Sequence, residues 1–110
     1  MPMIDVYGAA GTFPDKRGLA ARLAATLMEI EQVPGIPMFR SNTAAFVHEL
    51  PADAIANVDG AGDYVRVQVL TNAGALDRAK QLAVVERFTG IIAEAAGSAG
   101  SACRLRIRPR

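Results

Sequence analysis

The stretch Tyr64-Val65-Arg66-Val67-Gln68-Val69-Leu70 is the cleanest strand signal in the chain. Val65, Val67 and Val69 recur with a period of two, and Arg66 and Gln68 take the alternate positions. Successive side chains of a strand point to opposite faces, so the valines predict a core-facing side and Arg66 an outward one. Downstream, Asp77 stands where a helix N-cap would. Leu82, Val85, Phe88, Thr89 and Ile92 then predict one apolar stripe, stopping at Gly97. After that helix, Cys103-Arg104-Leu105-Arg106-Ile107-Arg108 alternates as a strand does.

The first half of the chain shows the same order. Residues 3–9 read as a strand stopped by Gly8 and Gly11, and Asp15 is placed to cap a helix over 16–32. Leu19, Leu23, Leu27 and Ile30 form its stripe, and Pro34-Gly35 ends it. Residues 42–50 predict a second strand, with Phe46, His48 and Leu50 on one face and Ala45, Val47 and Glu49 on the other. Residues 51–63, with three Asp and two Gly, read as a connector with room for one helical turn. Laying Asp77 on Asp15 also lays Val85 on Leu23, Ile92 on Ile30, Gly97 on Gly35 and Tyr64 on Pro2. This points to an internal repeat, 2–60 and 64–110, within a single domain spanning 1–110. The expected fold class is α+β: two tandem β-α-β units forming a four-stranded sheet with both helices on one face. The other sheet face is then left partly apolar, and packing against further copies of the chain would cover it.

Bulk composition narrows the functions. With 110 residues, 51% hydrophobic and 21% charged, the chain has an ordinary globular balance. A net charge of +1 and the lack of Trp give neither the field nor the stacking platform of a nucleic-acid binder. No apolar run approaches membrane-spanning length, and no basic-then-apolar leader opens the chain. Single Cys103 and single His48 cannot build an internal disulfide or a His/Cys metal cluster. The expectation is a soluble cytoplasmic protein with no metal, nucleic-acid partner or membrane partner. Cys103 reads as a small buried hydrophobe, Tyr7 as a half-buried ring with a wet hydroxyl, and His48 as a surface or core-edge residue.

The opening, Met1-Pro2-Met3-Ile4-Asp5-Val6, carries the most specific chemistry. A mid-chain proline nitrogen is an amide without basicity. Once Met1 is cleaved, Pro2 becomes a secondary amine, a base that burial and nearby cations can tune toward neutral pH. Proline directly after the initiator, opening a strand of a duplicated β-α-β chain, resembles the tautomerase superfamily. The likeness is to its 4-oxalocrotonate tautomerase group, in the fused-dimer layout, and less closely to the migration-inhibitory-factor group. The resemblance implies a cofactor-independent tautomerase or isomerase that moves a proton on a small 2-oxo or enol carboxylic acid. It implies Pro2 as the base and a homo-oligomer, a trimer of fused units. The alternative is a catalytically inert structural or binding protein of the same fold.

A carboxylate substrate needs a cation, and the planar fork of Arg serves best. Family members supply one Arg after the first strand, where this chain has Gly11-Thr12-Phe13, and one at the start of the second. Counting forward from Val33-Pro34 puts Arg40 at that second position, whereas counting back from His48-Glu49 reaches Ala44. In the second unit the matching place falls on Arg104, and Arg66 is a separate charge in an apolar strand. Arg40, Arg66 and Arg104 are therefore the candidate carboxylate holders, against the plainer reading of each as a solvated ion pair. Thr71-Asn72-Ala73-Gly74-Ala75 lacks the paired arginines of malonate semialdehyde decarboxylase and the acrylate dehalogenases. Fused members also run on past the last strand, so ending at Arg110 reads as a shortened C-terminus.

Overall fold

Alternation and capping generate most of the elements. The structure, a computed structural model, describes residues 2–96 in full and 103–109 as backbone. β1 (Met3–Ala9) leads into α1 (Lys16–Glu31) and then a short α2 (Pro37–Ser41). β2 (Ala44–Leu50), a 3-10 turn (Ala52–Ala54), β3 (Val65–Thr71), α3 (Arg78–Ala95) and β4 (Cys103–Pro109) follow. Both caps form as the sequence predicts. The Asp15 carboxylate accepts from the Gly18 N–H at 2.9 Å, and that of Asp77 from the Lys80 N–H at 2.8 Å. α1 ends one residue early, where Gln32 turns left-handed at φ 61°.

The strands lie in the order β2-β1-β3-β4. β1 and β2 are parallel, β1 and β3 antiparallel, and β3 and β4 parallel by backbone register. Ile4, Val6, Val65, Val67 and Val69 come from one sheet face and are all but fully buried. They pack with Leu23, Leu27, Val84 and Phe88, so α1 and α3 cover the same face. Ala45 and Val47 of β2 pack against this core while Phe46 stays half exposed, as their alternation predicts.

Two elements differ from the sequence expectations. α2 is absent from the pattern reading because five residues are too few to show a helical period. It begins at Pro37, and the side chains beyond it close its end: Asn42 Nδ2 donates to Met38 O at 2.7 Å and Thr43 Oγ1 to Phe39 O at 2.9 Å. As a result β2 starts at Ala44 and not at Asn42. α3 is rotated from its expected phase. Leu82 and Val85 are 56% and 42% exposed, whereas Val84, Phe88, Ile91 and Ile92 are buried. The expected stripe and the buried set both contain Phe88 and Ile92, so sequence spacing alone fits either rotation. Contact with α1 and the sheet selects the one that buries Val84 and Ile91. The expected stop at Gly97 lies outside the described residues.

Candidate functional site at the head of the first strand

Pro2 precedes β1, and its carbonyl accepts a long hydrogen bond from the Ala44 N–H at 3.4 Å. The parallel β1–β2 register places it beside Thr43, and the antiparallel β1–β3 register beside Thr71. These heads and tails of strands, closed by α2 and the end of α1, surround a cavity of about 410 Å³. Its walls include Pro2, Glu31, Met38, Phe39, Thr43 and Thr71. Thr71 is buried, and its Oγ1 donates to Glu31 Oε2 at 2.8 Å. One carboxylate therefore sits, aimed by a buried hydroxyl, in the wall that Pro2 shares. Among the described lining residues it is the only ionisable side chain, and none of them carries a cationic side chain.

The candidate arginines divide between the two ends of the sheet. Arg40 lies at the Pro2 end, exposed on α2, two residues beyond Met38 and next to Phe39. Arg66 is the register partner of Tyr7, five residues further along β1 than Pro2. At a strand rise of about 3.3 Å per residue that is roughly 16 Å away. Arg104 is the backbone partner of Arg66 on β4, so it shares that distant end, and its side chain lies outside the described residues. One chain thus brings Arg40 toward Pro2 and holds Arg66 and Arg104 away from it. Glu31 and Thr71 were not singled out from sequence. Neither stands in a motif, and only the folded path of α1 past the end of β3 joins them to Pro2.

The open sheet face has its own side-chain row. His48, Tyr7 and Arg66 are register neighbours across β2, β1 and β3. The His48 imidazole stacks on the Tyr7 ring at 4.4 Å and 12°, and the Arg66 guanidinium lies over that ring at 5.8 Å. His48 Nε2 donates to Asp5 Oδ1 at 2.8 Å. Among the described residues no group of three His, Cys, Asp or Glu is arranged to hold a metal ion. No described helix is long and apolar enough to cross a membrane.

No protein-family model and no curated protein sequence matches this chain. Solved structures do. A wild-type fused 4-OT, a symmetric trimer, superposes with a TM-score of 0.80 at 16% identity, over 98% of this chain and 85% of the other. A native fused 4-OT gives 0.77 at 20% identity, over 98% and 86%. The chain has the fold of these fused 4-OT structures. A macrophage migration inhibitory factor-like protein from Entamoeba histolytica shares this fold more distantly, at 0.68 and 15% identity over 98% and 89%. Agreement over nearly the whole chain at such identities is agreement of fold.

Proposed function

We propose that this chain is a cofactor-independent tautomerase acting on a small 2-oxo or enol carboxylic acid, with Pro2 as its base. The observation that carries the reading is Pro2 at the head of β1, in the wall of a cavity large enough for such a substrate. With Met1 removed, the neutral amine takes the enol or α-carbon proton and returns it to the other end of the conjugated system. Between the two transfers the amine is a cation, and the Glu31 carboxylate in the same wall stabilises it. Arg40 holds the substrate carboxylate within one chain, whereas Arg66 and Arg104 serve a Pro2 only across a boundary between copies.

The proposal includes a duplicated β-α-β chain and assembly as a cytoplasmic homotrimer through the open sheet face. Burial supports the duplication but shifts its alignment. Ile4, Val6, Leu23, Leu27 and Ile30 match Val65, Val67, Val84, Phe88 and Ile91 in being buried. That is one residue off the alignment of Asp15 with Asp77, which would lay core Ile4 on exposed Arg66. Strand faces alternate, so a one-residue slip exchanges them.

A second reading, an inert structural or binding protein of this fold, is favoured by the lack of a cation among the described cavity walls. Three measurements decide between them. Intact mass should show loss of one Met residue, sedimentation at micromolar concentration should show a closed trimer, and the protein should ketonise phenylpyruvate or 2-hydroxymuconate. Pro2→Ala should lower that rate about a hundredfold or more with the fold intact. A folded protein with a free Pro2 amine and no such activity establishes the inert reading.

A further inference from the structure

One edge of the sheet and the connector after β2 carry complementary features that the described residues of one chain leave unmatched. β2 is an edge strand with β1 as its one neighbour, and none of its residues is fully buried. Alongside it, a groove of about 680 Å³ runs between residues 43–48 and the outer side of α1. Ala20, Ala21 and Ala24 build the helical wall, so small side chains leave room there. Lys16 and Arg17 line the same groove from the first turn of α1, and no acid lines it. Lys16 faces Glu49 and His48 faces Asp5, whereas Arg17 pairs with no described carboxylate. The connector offers the opposite chemistry. The Asn57 N–H donates to Ala61 O at 2.8 Å, and the Gly60 N–H to Asn57 O at 3.1 Å. Asn57 Oδ1 accepts from the Asp59 and Ala61 N–H groups, both at 2.9 Å. These bonds hold Val58 and Asp59 at the tip of a preformed loop, and Val58 is fully exposed. Asp53, Asp59 and Asp63 meet no described cation. No residue of this loop lines the groove of its own chain.

We propose that the connector tip of one copy docks in the α1–β2 groove of a second copy, with Val58 against the alanine wall and Asp59 paired with Arg17. A lone exposed valine is ordinary on any surface. This one stands on a loop fixed before contact, so docking it loses little conformational freedom. The charges are complementary, an acidic tip against a basic groove, and the Arg17 fork matches a carboxylate in geometry as well as sign. A segment laid along β2 also covers an edge that is otherwise open to wrong pairing. Each copy offers both halves, so the contact is head-to-tail and closes into a ring when the rotation between copies allows it. The surface is separate from the open sheet face. The inference rests on the homo-oligomer in the proposed function and not on the chemistry of Pro2.

Sedimentation equilibrium of the full-length protein at micromolar concentration tests the contact. The parent should self-associate. Asp59→Arg and Arg17→Glu should each weaken association by about tenfold or more, since each turns a charged contact into a repulsion. The double variant restores the pair with its signs exchanged, so it should recover most of the parent's affinity. Val58→Asp should weaken association as well, because it sets a charge against the alanine wall. Arg17, Val58 and Asp59 are exposed, so circular dichroism of every variant should match the parent. An associating parent whose single variants associate equally well overturns the inference and leaves assembly to the open sheet face. A double variant no stronger than the single ones overturns it too. A monomeric parent overturns both this contact and the proposed trimer, and leaves the groove to an acidic segment of another protein.

Discussion

Thr71 Oγ1 donates a hydrogen bond to Glu31 Oε2 at 2.8 Å, joining the end of β3 to the end of α1 in the wall of the Pro2 cavity. The pair fixes a carboxylate in the wall that Pro2 shares. A buried hydroxyl that donates to that carboxylate orients it, which makes its field directional. Glu31→Gln keeps the shape and the acceptor for Thr71 but removes the charge. If Glu31 stabilises the protonated amine between the two transfers, kcat for ketonisation should fall by about tenfold or more while KM changes little. An unchanged kcat would remove Glu31 from the mechanism.

Arg40 is the one candidate arginine that a single chain places at the Pro2 end. Arg40→Ala should reduce kcat/KM by about 2–4 kcal/mol equivalents, chiefly through KM, as for truncation of a charged contact. Arg40→Lys should recover little, since a point charge cannot make two parallel hydrogen bonds. Wild-type kinetics for Arg40→Ala would shift the carboxylate contact to a neighbouring copy. In that case, mixing Pro2→Ala and Arg104→Ala subunits should restore activity that neither variant has alone.

Glu49, at the end of β2, ties that strand to the loop after β1. Its Oε2 accepts from the Gly11 N–H at 3.2 Å, and its Oε1 faces Lys16 Nζ at 3.5 Å. The Gly11 hydrogen bond, and after it the Lys16 charge, hold the Glu49 carboxyl below its ordinary 4.5. A depressed carboxylate contributes stability that is present above its unfolded pKa and lost as pH falls through its folded one. Thermal melts of Glu49→Gln should therefore fall less steeply than those of the parent below about pH 4.5. Parallel curves would show that the contact is absent in solution.

The rotation of α3 can be read from two substitutions. Phe88 is fully buried and Leu82 is 56% exposed. Phe88→Ala should cost about 3–5 kcal/mol in chemical denaturation, and Leu82→Ala about 0.5 kcal/mol or less. Similar large losses at both positions would place Leu82 in a core or an interface.

Local chemistry was enough to read much of this protein. The alternation of Val65, Val67 and Val69 set the faces of β3, and the same rule put Ala45 and Val47 on one face of β2, which packing then turned inward. Asp15 and Asp77 marked both long helices, because a short acceptor at the N-cap satisfies a free N–H within its own segment. Pro2 stands out as a candidate from its place after Met1 together with the strand and the repeat that follow it. The rest needed the tertiary structure, since it depends on contacts between segments far apart in sequence. Antiparallel pairing of β1 with β3 carries Arg66 to Tyr7 and away from Pro2, and no residue count along the chain reveals that direction. Glu31 meets Thr71 across forty residues. The phase of α3 was open because Phe88 and Ile92 fit two apolar stripes, and packing against α1 and the sheet chose between them. Periodicity reports which residues share a face; only the packed chain decides what that face meets.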